Sequence, residues 1–245
     1  MKETLDTLSI GQLRFLQAEK GYRYSLDPIL LAHFSADRAQ GQVVDLGTGG
    51  GILPLLLSHL GNADVLTGIE LQPTLVERAR RNVELNALTG QVTILDGDIR
   101  KIKSLLPAGS ADLVVANPPY RKVGSGRIAP DDERAAARHE LAGGLREFTA
   151  AGGWLLKHGG SFCLIYLAER LSELLIEMVG AGIEPKRLRM IHSRRGEEAK
   201  LVLVEGRKGG RPGLVVEKPL TLYRDGSTGR DYSDEVLQMY DPPSG

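Results

Sequence analysis

Apolar residues recur along this chain in two alternating patterns. Short continuous apolar runs, bounded by glycine, proline or charged residues, are typical of strands that are covered on both faces. Five such runs lie at Gln42–Leu46, Val65–Glu70, Val92–Leu95, Asp112–Ala116 and Ser161–Leu167. Between them lie stretches with helical spacing, the clearest being Pro73–Leu85. There the spacing predicts that Leu75, Val76, Ala79 and Val83 face inward and that Glu77, Arg78, Arg80, Arg81 and Glu84 face outward.

The order of these elements predicts the fold class. Strands that alternate with helices through five units indicate an α/β fold with a Rossmann-like doubly wound sheet, because each helix crosses over between parallel strands. Two more strands, Lys186–His192 and Lys200–Glu205, follow with no helix between them. We therefore predict a seven-stranded sheet that is mostly parallel and has an antiparallel last strand.

Four further expectations concern the helices, the last part of the chain and its division into domains. A long helix is expected from Asp131 or Asp132 to Lys157, with interruptions at the glycine pairs 143–144 and 152–153, and a hairpin is expected from 215–216 and 220–223. Asp27 before Pro28 is typical of an N-cap followed by proline at the first helical position. The chain is expected to divide into an N-terminal segment (1–40), a main domain (41–206) and a C-terminal extension (207–245).

Composition limits the class of protein. Hydrophobic residues make up 42% and charged residues 25% of the chain, which is ordinary for a globular protein. No apolar run approaches the roughly 20 residues of a membrane helix, the first residues lack the apolar core of a signal peptide, and the single cysteine excludes an internal disulfide. We expect a cytoplasmic protein without a metal. The net charge is zero, yet residues 186–211 carry nine basic and three acidic residues, which favours an anionic partner.

The fourth apolar run ends in Asn117-Pro118-Pro119-Tyr120. Prolines end a strand because they lack the backbone donor, and ligands of an open α/β sheet bind at the carboxyl ends of its strands. A planar group with an amine fits such a position. Its ring would stack on Tyr120, and its amine hydrogens would go to the side-chain oxygen of Asn117 and the carbonyl of Pro118. A strand followed by a plain proline turn is the simpler alternative for this motif alone.

Three other strand ends carry groups suited to a nucleoside. The first strand leads into Asp45-Leu46-Gly47-Thr48-Gly49-Gly50-Gly51, which has the spacing D-x-G-x-G-x-G and lacks the sixth-position glycine of a nicotinamide site. Glu70 ends the second strand, where a carboxylate can accept from two ribose hydroxyls. Asp98-Ile99 follows the third strand, where the carboxylate can accept from an adenine amine and the Ile99 amide can donate to a ring nitrogen.

These four motifs, in this order, resemble the class I S-adenosylmethionine-dependent methyltransferases that act on planar amines. Three outlying stretches resemble the tRNA1(Val) adenine-37 N6-methyltransferase family, so that the resemblance covers nearly the whole chain; they are Tyr22–Ala32, Ala137-Arg138-His139-Glu140 and Tyr232–Leu237. The resemblance implies S-adenosylmethionine as cofactor and methylation of an adenine in a tRNA anticodon loop. It implies that Tyr24 and Asp27 lie near the methionine end of the cofactor.

The predicted site then has three parts. The catalytic residues are Asn117, Pro118 and Tyr120, and the cofactor-binding residues are Asp45, Gly47, Gly49, Gly51, Glu70, Asp98, Ile99, Tyr24 and Asp27. The glycine-rich loop after the motif carries Arg121, Lys122 and Arg127, which are expected to hold phosphates that flank a base taken out of its stack. Neither a strong base nor a metal is required, because positioning and electrostatic stabilisation carry the reaction.

Other functions remain open at this point. The same pocket suits an N5-glutamine methyltransferase of a release factor, whose family usually has a helical domain ahead of the glycine loop; the short segment 1–40 favours the nucleic acid. A ribosomal guanine N2-methyltransferase is a further alternative, although those proteins often have a duplicated domain. An RNA-binding scaffold that retains the fold is the non-enzymatic alternative, and the intact motifs argue against it.

Overall fold

The computed structural model describes residues 2–19, 25–119, 143–226 and 231–240. Its strands are β1 (Glu3–Thr7), β2 (Arg14–Ala18), β3 (Gln40–Leu46), β4 (Asn62–Glu70), β5 (Val92–Asp96), β6 (Ala111–Ala116), β7 (Leu156–Leu167), β8 (Ile183–His192), β9 (Ala199–Lys208), β10 (Val215–Val216) and β11 (Leu220–Thr221). Its α-helices are α1 (Asp27–Ser35), α2 (Ile52–Leu60), α3 (Pro73–Leu85), α4 (Ile102–Leu105), α5 (Leu145–Leu155), α6 (Leu171–Gly180) and α7 (Asp234–Tyr240).

The main sheet has the order β5-β4-β3-β6-β7-β9-β8, and its strands are parallel except for β9, which is antiparallel to both neighbours. The predicted fold class, a Rossmann-like sheet with an antiparallel last strand, is confirmed. The physical reason is the short connection at 193–198, since a parallel return would need a crossover of a dozen or more residues.

Alternate residues of the central strands enter two separate hydrophobic cores. Val115 packs with α1, α2 and α3 on one face, whereas Val114 packs with α5 and α6 on the other. Because successive side chains of a strand point to opposite faces, a strand covered on both sides must be apolar throughout. This explains why the continuous apolar runs located the strands.

The segment before the sheet contains an antiparallel hairpin, β1–β2, that the sequence analysis did not predict. It lies against α3, where Glu3 accepts hydrogen bonds from Arg78 and Arg81. The prediction that Arg78 faces outward is wrong, because its side chain is buried beneath the hairpin. Asp27 is also not an N-cap: it is the first residue of α1, and Leu26 occupies the cap position.

Helix α5 differs from the predicted long helix in its described part. It begins after Gly144 and ends at Leu155, and β7 begins at once with Leu156, so that Lys157 lies in a strand. The predicted interruption at 152–153 is wrong, since the helix continues through both glycines. A Cβ on Gly152 would lie 2.8 Å from the Phe162 ring, so that glycine permits close packing of helix on strand. The earlier part of the predicted helix lies outside the described residues.

The last part of the chain folds onto the outer edge of β8. Strands β10 and β11 each pair in parallel with β8, so the predicted hairpin between them is wrong. Helix α7 places Val236 in the core, and Nε2 of His33 lies 2.7 Å from the carbonyl oxygen of Met239. Among the described residues no helix combines the length and the apolar character needed to cross a membrane.

Candidate functional site

The ends of four neighbouring strands bring the predicted motifs to one edge of the sheet. In the register, Leu46 of β3 pairs with Ile69 of β4 and with Ala116 of β6, and Glu70 of β4 pairs with Asp96 of β5. Gly47 and Asn117 are therefore the next residues beyond paired neighbours. The glycine loop and the Asn-Pro-Pro motif leave the sheet side by side.

The glycine loop after β3 has a backbone that only glycine adopts readily. Gly47, Gly49 and Gly51 have φ values of 71°, 58° and 81°, in the left-handed region where a side chain would be strained. The amides of Gly47 and Thr48 both donate to the carbonyl oxygen of Ile69 at 2.9 Å, which ties the loop to the end of β4. The backbone of Gly47 is exposed at the top of the loop and is accessible to a ligand.

Glu70 lies directly beside this loop. Its carboxylate is buried and accepts hydrogen bonds from two backbone amides, with Gly49 N at 2.9 Å from Oε2 and Gln72 N at 2.8 Å from Oε1. Burial raises the pKa of Glu70, and the amide donors oppose that rise. A carboxylate oxygen accepts more than one hydrogen bond, so Glu70 can hold the loop and still accept from a hydroxyl.

The side chains of Asp45, which precedes the loop, and Thr48, which belongs to it, are both buried and lie close together. Asp45 is 3% exposed, and neither its Oδ2 nor Oγ1 of Thr48 makes a well-formed hydrogen bond to the described residues. Burial raises the pKa of Asp45 to about 7; the Thr48 hydroxyl lowers it and the charge of Glu70 raises it further. The side chain of Asp45 is therefore enclosed and does not reach the exposed edge.

Asp98 and Ile99 begin a short 3-10 turn after β5. Oδ1 of Asp98 accepts from the backbone amide of Arg100 at 2.9 Å, and the Arg100 guanidinium lies 2.6 Å from Oδ2. The Arg100 side chain lowers the pKa of Asp98, so the carboxylate is a charged acceptor at neutral pH. Ile99 is the first residue of the turn, and the first amides of a helical turn have no partner within it.

The Asn-Pro-Pro motif follows β6 directly. Pro118 is buried, whereas Asn117 and Pro119 are half-buried at the sheet edge. Asp27 is half-buried at the start of α1. The remaining predicted site residues lie outside the described residues; these are Tyr24, Tyr120, Arg121, Lys122 and Arg127.

Two residues that the sequence analysis did not select contact the glycine loop. Asn82 of α3 donates to the carbonyl oxygen of Gly50 at 2.9 Å. Phe148 of α5 lies so close to Gly47 that a Cβ there would be 3.2 Å from its ring. Asn82 left a signal in the sequence, since an uncharged amide on the inward face of an amphipathic helix needs buried partners. Phe148 left none, because its contact depends on tertiary packing.

The basic run at 186–211 does not form one surface. Arg187 pairs with the buried Glu205, and Arg189 pairs with Glu235 of α7. Arg194 and Arg195 lie in the connection between β8 and β9, at the carboxyl end of β8. Arg207 and Lys208, at the end of β9, lie beside the amino end of β8. The charge asymmetry of the sequence is therefore divided between an internal ion-pair network and two ends of the sheet.

The residues at this edge fit the cofactor that the resemblance implies. The exposed backbone of Gly47 can be approached closely, and Glu70 and Asp98 supply carboxylate acceptors on the two neighbouring strand ends. These groups suit a ligand that has hydroxyls and amines along its length. No group of three or more histidine, cysteine or acidic side chains that could hold a metal ion occurs among the described residues.

Known proteins resemble this chain in sequence. Residues 27–177 match the model of a family described as methyltransferase small domain. A protein of Porphyromonas gingivalis named tRNA1(Val) (adenine(37)-N6)-methyltransferase is 29% identical, over 97% of this chain and 94% of the relative. A protein of Aeromonas salmonicida with the same name is 28% identical, over 88% of this chain and 87% of the relative.

Solved structures resemble the chain in fold. A predicted O-methyltransferase from Agrobacterium tumefaciens superimposes with a TM-score of 0.70 at 24% identity, over 88% of this chain and 95% of that structure. TYW2 of M. jannaschii, solved in complex with AdoMet, superimposes with a TM-score of 0.57 at 16% identity, over 84% and 86% of the two chains. At these identities the likeness shows a shared fold.

Proposed function

Since the chain belongs to the methyltransferase small domain family and is a methyltransferase, we propose that it methylates N6 of an adenine in tRNA. Its methyl donor is S-adenosylmethionine. The observation that carries the proposal is the register of β3 with β6, since Leu46 opposite Ala116 brings Gly47 and Asn117 together at one sheet edge. The names of relatives that cover nearly the whole chain favour an adenine of the tRNA anticodon loop as the substrate.

Cofactor binding is assigned to the strand ends. Glu70 accepts from the ribose hydroxyls, and Asp98 and the Ile99 amide bind the adenine of the cofactor. Gly47, Gly49 and Gly51 let the backbone approach the cofactor closely, and the buried Asp45 supports them. Tyr24 and Asp27 lie towards the methionine end. The left-handed glycines and the acceptor capacity of Glu70 and Asp98 support this assignment.

Bound S-adenosylmethionine supplies an electrophilic methyl group. An exocyclic amine is a poor nucleophile, because its lone pair is delocalised into the ring. The side-chain oxygen of Asn117 and the carbonyl oxygen of Pro118 accept hydrogen bonds from the two hydrogens of the amine, while Tyr120 stacks on the base. These contacts would hold the nitrogen facing the methyl group and stabilise the positive charge that develops on it as the N–C bond forms and the S–C bond breaks, so positioning and electrostatics would carry the rate. S-adenosylhomocysteine would be the leaving group, and the methylated nitrogen would lose one proton to solvent.

The target adenine has to leave its stack to reach this edge. Arg121 and Lys122 follow the Asn-Pro-Pro-Tyr motif directly and Arg127 lies five residues further on; we assign all three to the phosphates that flank the extruded base. Each phosphate contact contributes to the salt dependence of binding. Replacing Arg121 and Lys122 with alanine is therefore expected to weaken RNA binding and to flatten that dependence.

The proposed function also assigns a role to each of the three parts of the chain. Residues 41–206 form the methyltransferase domain, residues 1–40 pack on it and supply the methionine-end residues, and residues 207–245 form an extension. The pairing of β10 and β11 with β8 supports an extension that is folded on the domain. A cytoplasmic location agrees with a tRNA substrate.

The decisive experiment is methyl transfer from labelled S-adenosylmethionine to total tRNA, followed by mass spectrometry of the nucleosides, with Asn117→Ala as the matched inactive variant. N6-methyladenosine that depends on Asn117 would support the proposal. Transfer to a release factor or to ribosomal RNA, with no transfer to tRNA, would overturn the substrate and retain the pocket chemistry. Absence of cofactor binding by the unaltered protein would overturn the enzymatic assignment itself.

A further inference from the structure

Helix α3 holds the N-terminal hairpin with two asparagines that lie one turn apart. Asn82 accepts from the backbone amide of Leu16 at 2.7 Å and donates to the carbonyl oxygen of the same residue at 3.3 Å. Asn86 accepts from the amide of Arg14 at 2.9 Å and donates to its carbonyl oxygen at 2.8 Å. Each side-chain amide therefore pairs with one residue of β2 as a neighbouring strand would.

The two asparagines match the two strand residues because the spacings of helix and strand agree. Four residues of an α-helix advance about 6 Å along its axis, and two residues of a strand advance about 6.6 Å. Asn82 of α3 and Asn86, which caps the C-terminal end of that helix, are four apart, and Leu16 and Arg14 are two apart on β2, so the two spacings coincide. The outer edge of β2 would otherwise expose these backbone groups. The asparagines satisfy them from the helix.

Asn82 has a second function that Asn86 lacks. Its amide nitrogen also donates to the carbonyl oxygen of Gly50 at 2.9 Å, and its side chain is only 1% exposed. The corresponding hydrogen of Asn86 goes instead to the backbone of its own helix, to the carbonyl oxygen of Asn82 at 2.7 Å. Asn82 thus joins the hairpin, the helix and the glycine loop through one side chain.

The glycine loop depends on such contacts because it has little else to hold it. Glycine has the largest conformational freedom to lose on ordering, and it offers no side chain for packing. The described contacts hold successive parts of the loop: Ile69 accepts from its first amides, Glu70 accepts from Gly49, and Asn82 donates to Gly50. Loss of the last contact releases the part of the loop nearest to α2.

We propose that Asn82 is a positioning residue for the cofactor, which sets the glycine loop in its binding geometry and couples it to the N-terminal hairpin. The proposal rests on the cofactor role assigned above to the loop. Asn82 acts through Gly50 and is not a catalytic residue. Loss of its contact leaves the carbonyl of Gly50 without its donor and frees the loop to move, so binding of S-adenosylmethionine has to pay for reordering it.

The matched pair Asn82→Ala and Asn86→Ala tests this role. Both substitutions remove the two bonds to β2, so both are expected to lower the melting temperature, and Asn82→Ala by more, because Asn82 is buried and also bonds to Gly50. Only Asn82→Ala is expected to raise the Kd for S-adenosylmethionine, by about tenfold, because the partly buried carbonyl of Gly50 loses its donor. Calorimetric titration of the full chain measures the Kd, and hydrogen exchange at Gly49 and Gly51 should accelerate only in Asn82→Ala.

Two outcomes would overturn the inference: an unchanged Kd in Asn82→Ala, or an equal rise in both variants, which would assign the effect to the hairpin alone. If Asn82→Ala does not fold, Asn82→Ser keeps a smaller polar group at the position and is measured in the same way. Failure of the unaltered chain to bind S-adenosylmethionine would instead overturn the proposed cofactor role of the loop. The two failures are therefore distinguishable.

Discussion

Gly49 donates its backbone amide to Oε2 of Glu70 across 2.9 Å, which joins the glycine loop of β3 to the carboxylate that ends β4. Oε1 of the same carboxylate accepts from Gln72, at the start of α3. Glu70 therefore fixes the backbone both in the glycine loop and at the residue that precedes α3. Its position in the sequence predicted an acceptor for a ribose, and the structure adds a role in fixing the backbone around it.

Glu70→Ala should raise the Kd for S-adenosylmethionine by at least about tenfold. Two backbone amides lose a charged acceptor, and such hydrogen bonds are roughly twice as strong as neutral ones. Titration calorimetry measures the change. Glu77→Ala is the control, since Glu77 is 75% exposed on α3 and should leave the Kd unaltered. A Kd for Glu70→Ala within twofold of the unaltered protein would contradict the assignment.

Asn117→Ala should separate catalysis from cofactor binding. The substitution removes the acceptor proposed for the target amine, which lies at the end of β6, whereas the glycine loop and Glu70 follow β3 and end β4. We expect kcat to fall by about a hundredfold or more, the usual effect of losing one preorganised electrostatic contact, while the Kd for S-adenosylmethionine stays constant. Single-turnover methylation and calorimetry measure the two quantities. Retained turnover would show that the target amine binds elsewhere.

Asp45 should make the cofactor-free protein less stable as pH rises. Its pKa in the folded protein is about 7, above the ordinary value of 3.8, so the folded state binds more protons than the unfolded state between these values. The free energy of unfolding should therefore fall from about pH 4 to about pH 7, by on the order of a few kcal/mol. Denaturant unfolding at several pH values measures this slope, and Asp45→Asn should make it shallower, leaving the contribution of Glu70, whose pKa burial also raises. An identical slope in the variant would refute the prediction.

Glu3 should act in the opposite direction. Hydrogen bonds from Arg81, with a further contribution from Arg78, lower its pKa from 4.5 to about 2. Its stabilising effect is therefore complete above about pH 4.5 and is lost as the pH falls towards 2. Glu3→Gln should lower stability at neutral pH and flatten the acid limb. Glu77→Gln, at an exposed partner of the same Arg81, should change little.

Arg187 should contribute far more to stability than its neighbour Arg189. Its Nε lies 2.8 Å from Glu205, which is 2% exposed, and its guanidinium lies 4.2 Å from the centre of the Phe34 ring. Arg187→Met should cost about 3 kcal/mol, because it leaves a buried carboxylate short of a partner. Arg189→Met, whose partner Glu235 is 50% exposed, should cost less than about 1 kcal/mol. Urea unfolding compares the two, and equal costs would contradict the argument.

The central sheet was predictable from the sequence because its strands are buried on both faces. Val114 and Val115 enter different cores, so burial demands apolar residues at successive positions and marks the strand directly. The order of strands, helices and short connections then restricts the topology to few choices. The four motifs were predictable in the same way, since parallel strands bring their carboxyl ends to one edge. The predicted site roles of Glu70, Asp98 and Asn117 stay predictions.

The pairing of the N-terminal hairpin and of the extension could not be predicted from the sequence, because other elements supply their partners. Arg78 belongs to a polar pattern along α3, and only the approach of Glu3 buries it. The segments that contain Val215 and Leu220 have the sequence of a hairpin, yet each of them pairs with the edge of β8 and not with the other.

The sequence alone determined the α/β fold, the strand that each motif follows and the chemistry that each motif can offer. The spacing of apolar residues indicates which positions are buried, and glycines and prolines indicate where an element ends. Both signals lie in the local sequence. The tertiary structure decided how the glycine loop is held, through the bond of Gly49 to Glu70 and of Asn82 to Gly50. Those contacts join residues that are distant in sequence, and no local pattern records which distant group satisfies a buried amide.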